Sequence, residues 1–228
     1  MKRNQKLTIY FFLFLPFLMV ILPFKLLANA STEKENILLN ISDKNLAQCI
    51  ISALNKTASA KASELKKLKC HGKNITNLNG IEHFHALEQL SLYNNKISHA
   101  DVSSLLQLKR LNIANNKLKT VNVTKLSQLE SLYLFKNKLQ HVDFTGLTKL
   151  TKIRITNNQL VGIDISPLVS LEKAYFFDNK LEDLKLTALV KLSFLEVRQN
   201  PMPDEVYDRY DEIDGITIIH DGNADDWK

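Results

Sequence analysis

The chain has 228 residues, 45% of them hydrophobic and 24% charged, with 30 basic against 24 acidic side chains. These proportions exclude a disordered or collagen-like polypeptide, and the length suits one domain or two small ones. Thirty-eight Leu and 21 Asn, against six Gly and two Cys, point to an internal repeat, and the formal charge of +6 raises nucleic acid until the positions of the charges are known.

Residues 1–30 carry the pattern of a secretory signal. Lys2, Arg3 and Lys6 precede an apolar run from Ile9 to Leu22, and Ala28-Asn29-Ala30 supplies the small residues that a signal peptidase reads. A membrane-spanning helix needs about 20 apolar residues. This run is interrupted by Pro16 and ends at Pro23 and Lys25, so cleavage after Ala30 is expected, with no stable membrane insertion afterwards. Cleavage removes four of the 30 basic residues (Lys2, Arg3, Lys6 and Lys25), leaving 26 against 24 acids, a net of +2. The electrostatic motive for nucleic-acid binding goes with them.

Residues 31–64 read as an N-terminal helical cap. Leu46, Cys49, Ile50, Ala53 and Leu54 form one apolar helical stripe, with Ser42 or Asp43 as the N-cap. From 65 to 202 the chain repeats. Asn95, Asn116, Asn137, Asn158, Asn179 and Asn200 recur at intervals of 21, each inside a frame of the type Leu108-x-x-Leu111-x-Ile113-x-x-Asn116-x-Leu118. A degenerate unit with Leu65, Leu68, Cys70 and Ile75 precedes them, bearing Lys73 where Asn would stand. No unit can bury its apolar side alone, so stacked units share one continuous core.

The alternating part of each frame predicts a short strand, paired in parallel with its neighbours. Each Asn is expected to turn inward and bond loop backbone groups. Val121-Asn-Val123, Val142-Asp-Phe144, Ile163-Asp-Ile165 and Leu184-Lys-Leu186 alternate with period two, which predicts an extended rather than helical second side. Ser103, Thr124, Thr145, Ser166 and Thr187 follow; a hydroxyl there could bond the next turn's N–H groups, but they are read as turn residues and nothing more. Scarce Gly suggests few turns that need positive φ. Pro201 and Pro203 end the repeat. Residues 203–228 form a C-terminal cap and tail, with a short helix over Asp204–Tyr210 and a last strand near Ile216–Ile219. Asp221, Asp225 and Asp226 do not match calcium-loop spacing and are expected in a solvated tail.

Cys70 occupies the inward position that Leu92 holds in the next unit, so it faces the same boundary as Cys49. With a secretory signal, a Cys49–Cys70 disulfide is expected; two free buried thiols are the alternative.

The cap stretch Ile41-Ser-Asp43-Lys-Asn-Leu46-Ala-Gln-Cys49, the run Ile75-Thr-Asn-Leu78-Asn-Gly80-Ile81-Glu82 and the repeat frame resemble the internalin-like leucine-rich repeat proteins of bacteria, over roughly residues 41–220. Chains with a Cys in the cap helix and another in the first strand look similar to secreted proteins of Gram-negative bacteria. The resemblance implies an α/β solenoid: a right-handed superhelix with a parallel sheet on the concave face, a mostly extended convex side and a helical cap. It also implies a protein partner on the concave face. The repeat is one residue shorter than the usual internalin unit, which is a departure from that pattern. So is the lack of an immunoglobulin-like domain, a sorting motif or a ubiquitin-ligase domain, and host-cell invasion is therefore not carried over.

On the concave face the frame leaves variable positions. Tyr93, Phe135 and Phe177 fall on alternate repeats, as do Tyr133 and Tyr175, a double period laid over the single one. These rings are expected in columns about 10 Å apart with small residues between. Arg110, Lys152, Arg154, Lys173 and Arg198 lie among or beside them. Exposed aromatic and Arg side chains are the composition of a protein-binding surface, although duplication history or self-association would also leave such rings.

His83 and His85 flank the core position of Phe84 and make a poor metal site without a third ligand. No phosphate loop, H-E-x-x-H or G-x-S-x-G motif occurs. The expectation is a secreted or periplasmic protein-binding monomer with no catalytic residues, metal or cofactor and no nucleic-acid partner. The alternative is an envelope scaffold for the cell's own proteins, and after it a hydrolase with an unrecognised site.

Overall fold

The computed structural model describes residues 40–56 and 61–222; residues 1–30, where a secretory signal is expected, and the acidic pair Asp225 and Asp226 lie outside them. The repeating frame forms a parallel-strand solenoid. Helix α1 (Lys44–Leu54) opens it. Ten three-residue strands follow: β1 (Lys67–Lys69), β2 (Gln89–Ser91), β3 (His99–Asp101), β4 (Arg110–Asn112), β5 (Thr120–Asn122), β6 (Ser131–Tyr133), β7 (Lys152–Arg154), β8 (Lys173–Tyr175), β9 (Phe194–Glu196) and β10 (Thr217–Ile219). Helix α2 (Asp204–Asp211) lies between the last two.

Eight strands make one parallel sheet in the order β1-β2-β4-β6-β7-β8-β9-β10, while β3 and β5 pair separately on the second side of the coil. The register advances by one repeat unit per strand from β2 to β9, so Leu90, Leu111, Leu132, Ile153, Ala174 and Leu195 stack in one row. All six are buried. Full burial of each Leu or Ile contributes about 1.5–3 kcal/mol, and the identical spacing makes every contribution support the same stacking. On the second side each unit turns through two successive i→i−3 hydrogen bonds, for example Leu126 N–H to Val123 C=O and Leu129 N–H to Leu126 C=O.

The recurring Asn side chains tie these coils together. Asn137 Nδ2 donates to Leu134 O (2.9 Å) in its own unit and Ile113 O (3.0 Å) in the preceding one. Its Oδ1 accepts the Leu118 N–H at 3.0 Å. Asn116, Asn158, Asn179 and Asn200 repeat the pattern, with Oδ1 accepting from Ile97, Leu139, Leu160 and Leu181. Asn95 closes it at the first unit through Cys70 O, Leu92 O, Lys73 N and Ile75 N. The carbonyls of Leu92, Ile113, Leu134, Ile155 and Phe176 each accept from two Asn side chains, so the network is continuous from Cys70 to Val197.

Two details differ from the sequence reading. Positive φ is not rare. Asn94, Asn115, Lys136, Asn157, Asp178 and Gln199, each just before a ladder Asn, have φ between 54° and 59°. The chain meets this demand with Asn and Asp, which tolerate the left-handed region, and at Lys136 and Gln199 it accepts a cost of roughly 1–2 kcal/mol. The turn hydroxyls also act as donors rather than acceptors of backbone N–H groups. Asp101 Oδ1 accepts both the N–H (3.0 Å) and the hydroxyl (2.7 Å) of Ser103, and Asn122 does the same for Thr124. Asp143 and Asp164 accept the N–H of Thr145 and Ser166 in the same way.

Both ends are closed. Asp43 is the N-cap of α1: one carboxylate oxygen accepts the N–H groups of Asn45 and Leu46, and the other accepts the N–H and hydroxyl of Thr76. Burial pushes its carboxyl up, but these four hydrogen bonds outweigh that and hold it below the ordinary range. A disulfide joins Cys49 of α1 to Cys70 after β1. Gly80 (φ +95°) admits the backbone of the cap, because a Cβ there would stand 2.7 Å from the Asn40 carbonyl oxygen. At the other end α2 lays Val206, Tyr207 and Tyr210 on the last coil. Tyr210 Oη donates to Leu184 O (3.0 Å) and Tyr207 Oη to Asn200 O (3.2 Å), while His220 stacks on the Tyr207 ring at 5.0 Å.

Asn137→Ala removes the bonds between two coils and leaves the Leu118 N–H without its acceptor. It is expected to lower the unfolding free energy by roughly 1–3 kcal/mol. A denaturant midpoint equal to that of the unaltered protein would contradict this role.

Candidate functional site

The inward residues of the sheet are fixed by the core, so chemistry on its outward face comes from the residues between them. Three rows run across the strands. The first contains Lys67, Gln89, Arg110, Ser131, Lys152, Lys173 and Phe194, and the second Lys69, Ser91, Asn112, Tyr133, Arg154, Tyr175 and Glu196. The third, two residues further on, contains His71, Tyr93, Ala114, Phe135, Thr156, Phe177 and Arg198. There the backbone ladder continues, with Asn115 N–H to Phe135 O and Asn157 N–H to Phe177 O.

The structure brings most of the sequence-selected residues into contact, in two bands. In one, Lys152 Nζ stands 6.0 Å from the Tyr133 ring centroid and 5.7 Å from that of Tyr175. Phe194 extends this band, its ring 5.1 Å from Tyr175. In the other, His71 meets Tyr93 edge-on at 5.9 Å, Tyr93 meets Phe135 at 6.2 Å, and the Arg154 guanidinium lies over Phe135 at 4.9 Å. Arg198 lies over Phe177 at 5.7 Å and pairs with Glu196. Lys173 stands between Lys152 and Phe194 in the first row. Arg110 lines a shallow hollow of about 160 Å³ at the end of the first band, with Gln89, Asn112 and Tyr133.

The wide ring spacing expected from the sequence, two strands across, does not hold for Tyr93 and Phe135. Ala114 between them leaves room, and the two rings lean together until Ala114 is fully buried. Thr156 holds the corresponding place between Phe135 and Phe177 and is 2% exposed. Among the described residues its Oγ1 is a buried side-chain atom with no hydrogen-bond partner. Phe194 and His71 were missing from the sequence-selected set. Phe194 falls outside the alternate-repeat spacing of the other aromatics, and only its place in the Lys152–Lys173 row could have revealed it.

Along the edge of the sheet, Glu88 bridges Lys66 (3.2 Å) and Lys109 (2.9 Å). The hydrogen bond from Lys109, with that from Lys66, holds its carboxyl below the ordinary range. A larger open groove of about 590 Å³ lies on the second side, lined by residues that include His99, Asp101, Thr120 and Asn122. Its two acidic groups are already engaged, Asp101 by Ser103 and Glu82 by the Gly80 N–H. Among the described residues no three His, Cys, Asp or Glu side chains stand close enough to hold a metal ion, and no helix is long and apolar enough to cross a membrane. His83 and His85 are exposed on either side of buried Phe84.

No family model and no curated protein matches the sequence. Solved structures do match the fold. Internalin C2 of Listeria monocytogenes is 22% identical, with a TM-score of 0.54 over 81% of this chain and 96% of the other. The internalin InlF of the same organism is 24% identical, with a TM-score of 0.52 over 74% of this chain. The chain has the leucine-rich repeat fold of the internalins. It spans 59% of the length of InlF. TLR13, in a complex with the RNA ssRNA13, is 25% identical over 60% of this chain and 22% of its own, with a TM-score of 0.51. Within the leucine-rich repeat frame the two bands occupy positions that the fold leaves free, so their composition belongs to this chain and not to the repeat.

Thr156→Val keeps the side-chain volume and removes a buried hydroxyl that lacks a partner. It is expected to raise the unfolding free energy by roughly 1 kcal/mol, read as a higher thermal midpoint. A lower midpoint would show that the hydroxyl is satisfied in the folded protein.

Proposed function

We propose that this protein is an exported leucine-rich repeat module that binds a protein partner stoichiometrically, without catalysis, through the outward face of its eight-stranded sheet. The observation that carries the reading is the pair of aromatic and cationic bands on that face. Tyr, Phe and Arg side chains held in fixed mutual contact lose little further freedom on association and bury large areas, which is what the energetic centre of an interface requires. The supports for export are the amino-terminal pattern of residues 1–30 and the Cys49–Cys70 disulfide, a bond that persists in oxidising compartments. In this reading the export segment ends at Ala30, the cap runs over 31–64, the repeats over 65–202 and the closing segment over 203–228. The partner is a protein, the working unit is a monomer, and the mature chain is secreted or periplasmic.

The face is tested by photo-crosslinking in the compartment where the protein accumulates. A crosslinking side chain at position 133 should form a partner adduct, and one at exposed position 190, away from the sheet, should not. Tyr133→Ala combined with Phe177→Ala should abolish the adduct formed from a crosslinker at position 175 while leaving the thermal midpoint nearly unchanged. Equal adducts from 133 and 190, or full retention in the double variant, would place binding elsewhere.

A further inference from the structure

The charges are not spread evenly over the coil. Among the described residues there are 24 basic and 20 acidic side chains. The three outward rows hold seven of the cations: Lys67, Lys69, Arg110, Lys152, Arg154, Lys173 and Arg198. Against them stand two carboxylates, both engaged within the protein: Glu196 with Arg198, and Asp221 accepting the Gln199 N–H. That leaves 17 basic and 18 acidic side chains everywhere else, so the sheet face carries the surplus positive charge of a coil that is otherwise close to neutral.

We infer that the occupant of this face is an acidic polypeptide segment in extended conformation. The inference rests on the reading that the sheet face is the partner site, and it names the partner's chemistry. Lys152 and Arg154 lie two residues apart on β7 and project from the same face, separated by about 6.6 Å, the interval at which side chains on one face of an extended chain recur. Lys173 stands one strand away from Lys152, at about 4.8 Å. Carboxylates at alternate positions of an extended segment therefore meet cations in register.

The rings hold those cations in place. Lys152 is flanked by Tyr133 and Tyr175, Arg154 covers Phe135 and Arg198 covers Phe177. A cation kept against a ring offers its outward side to an anion without first being ordered. The same contacts take up ring faces on which the bases of a single-stranded nucleic acid would stack. This weighs for a peptide carboxylate over RNA, even though the face is basic and aromatic.

The test titrates the purified protein with fluorescent poly-L-glutamate, poly-L-lysine and single-stranded poly-uridylate of matched length, at about 50 and 200 mM NaCl. Poly-glutamate is expected to bind, to lose roughly tenfold in affinity between the two salt concentrations, and to lose roughly tenfold again with Lys152→Gln plus Arg154→Gln. Lys117→Gln plus Lys119→Gln, exposed beyond the ladder Asn116, should leave its affinity unchanged. Poly-lysine should not bind. Absence of poly-glutamate binding at low salt, equal loss in the two double variants, or tighter binding of poly-uridylate than of poly-glutamate would each overturn the inference. The two readings fail separately. If a crosslinker at position 133 captures a partner whose binding is indifferent to salt and to Lys152→Gln plus Arg154→Gln, only the acidic chemistry falls. If position 133 captures nothing, the sheet-face reading itself falls.

Discussion

The side-chain amide of one Asn per coil is the interaction on which the rest of this structure depends. Beyond each three-residue strand the outward-facing backbone stays in the ladder, but inward carbonyls such as those of Ile113 and Leu134, and turn N–H groups such as that of Leu118, need another partner inside the protein, where an unpaired polar group is costly. An Asn carboxamide offers two donors and an acceptor on a short stem. Here Nδ2 takes carbonyls from two successive coils and Oδ1 takes an N–H from the preceding one, as Asn137 does with Leu134, Ile113 and Leu118. Because each amide bridges two coils, the ladder fixes their separation and their register together. Where the spacing is one residue longer, between β1 and β2, Asn95 still bridges the two coils, its Oδ1 taking the N–H groups of both Lys73 and Ile75.

That rigidity creates the outward face. With the inward row fixed as Leu, Ile or Ala, the residues between are free of folding duty and stand in straight rows across the strands. What they do next depends on size. Ala114 between Tyr93 and Phe135 lets those rings meet, and Thr156 is covered in the place between Phe135 and Phe177. Lys152, Arg154 and Arg198 settle against rings from neighbouring strands, with Arg154 and Arg198 still exposed to solvent. Among the described residues the surplus of basic over acidic side chains is concentrated on this one surface.

The fold was legible in the sequence because its signals are periodic and independent. Leu spacing set the core row, Asn spacing marked the turns, and the positions of Cys49 and Cys70 at one boundary marked the cap disulfide. The left-handed residues were not legible in the same way. Six of the eight non-glycine ones stand at a single position before each ladder Asn; four of these six are Asn or Asp, but the adjoining ladder already drew the Asn excess to itself, and Lys136 and Gln199 break the column. The turn acceptors Asp101, Asn122, Asp143 and Asp164 do recur at the repeat interval, but as polar residues between two apolar ones they read only as the exposed side of an extended segment. At the candidate site the rows could be read from spacing, whereas contacts across them could not. Whether two rings meet depends on how far each leans over a small neighbour, and Phe194 joins Tyr175 from a row with no other aromatic residue.

The central claim is that the Asn amides hold the turns as firmly as the sheet holds its strands. Amide hydrogen exchange of the unaltered protein measures this directly at Ile97, Leu118, Leu139, Leu160 and Leu181, whose N–H groups donate to ladder Asn side chains. The account predicts that these five turn amides exchange as slowly as the strand amides of Leu111 and Leu132, opening only when the coil unfolds. Exchange at the rate of exposed turn amides, with the strands still protected, would contradict it.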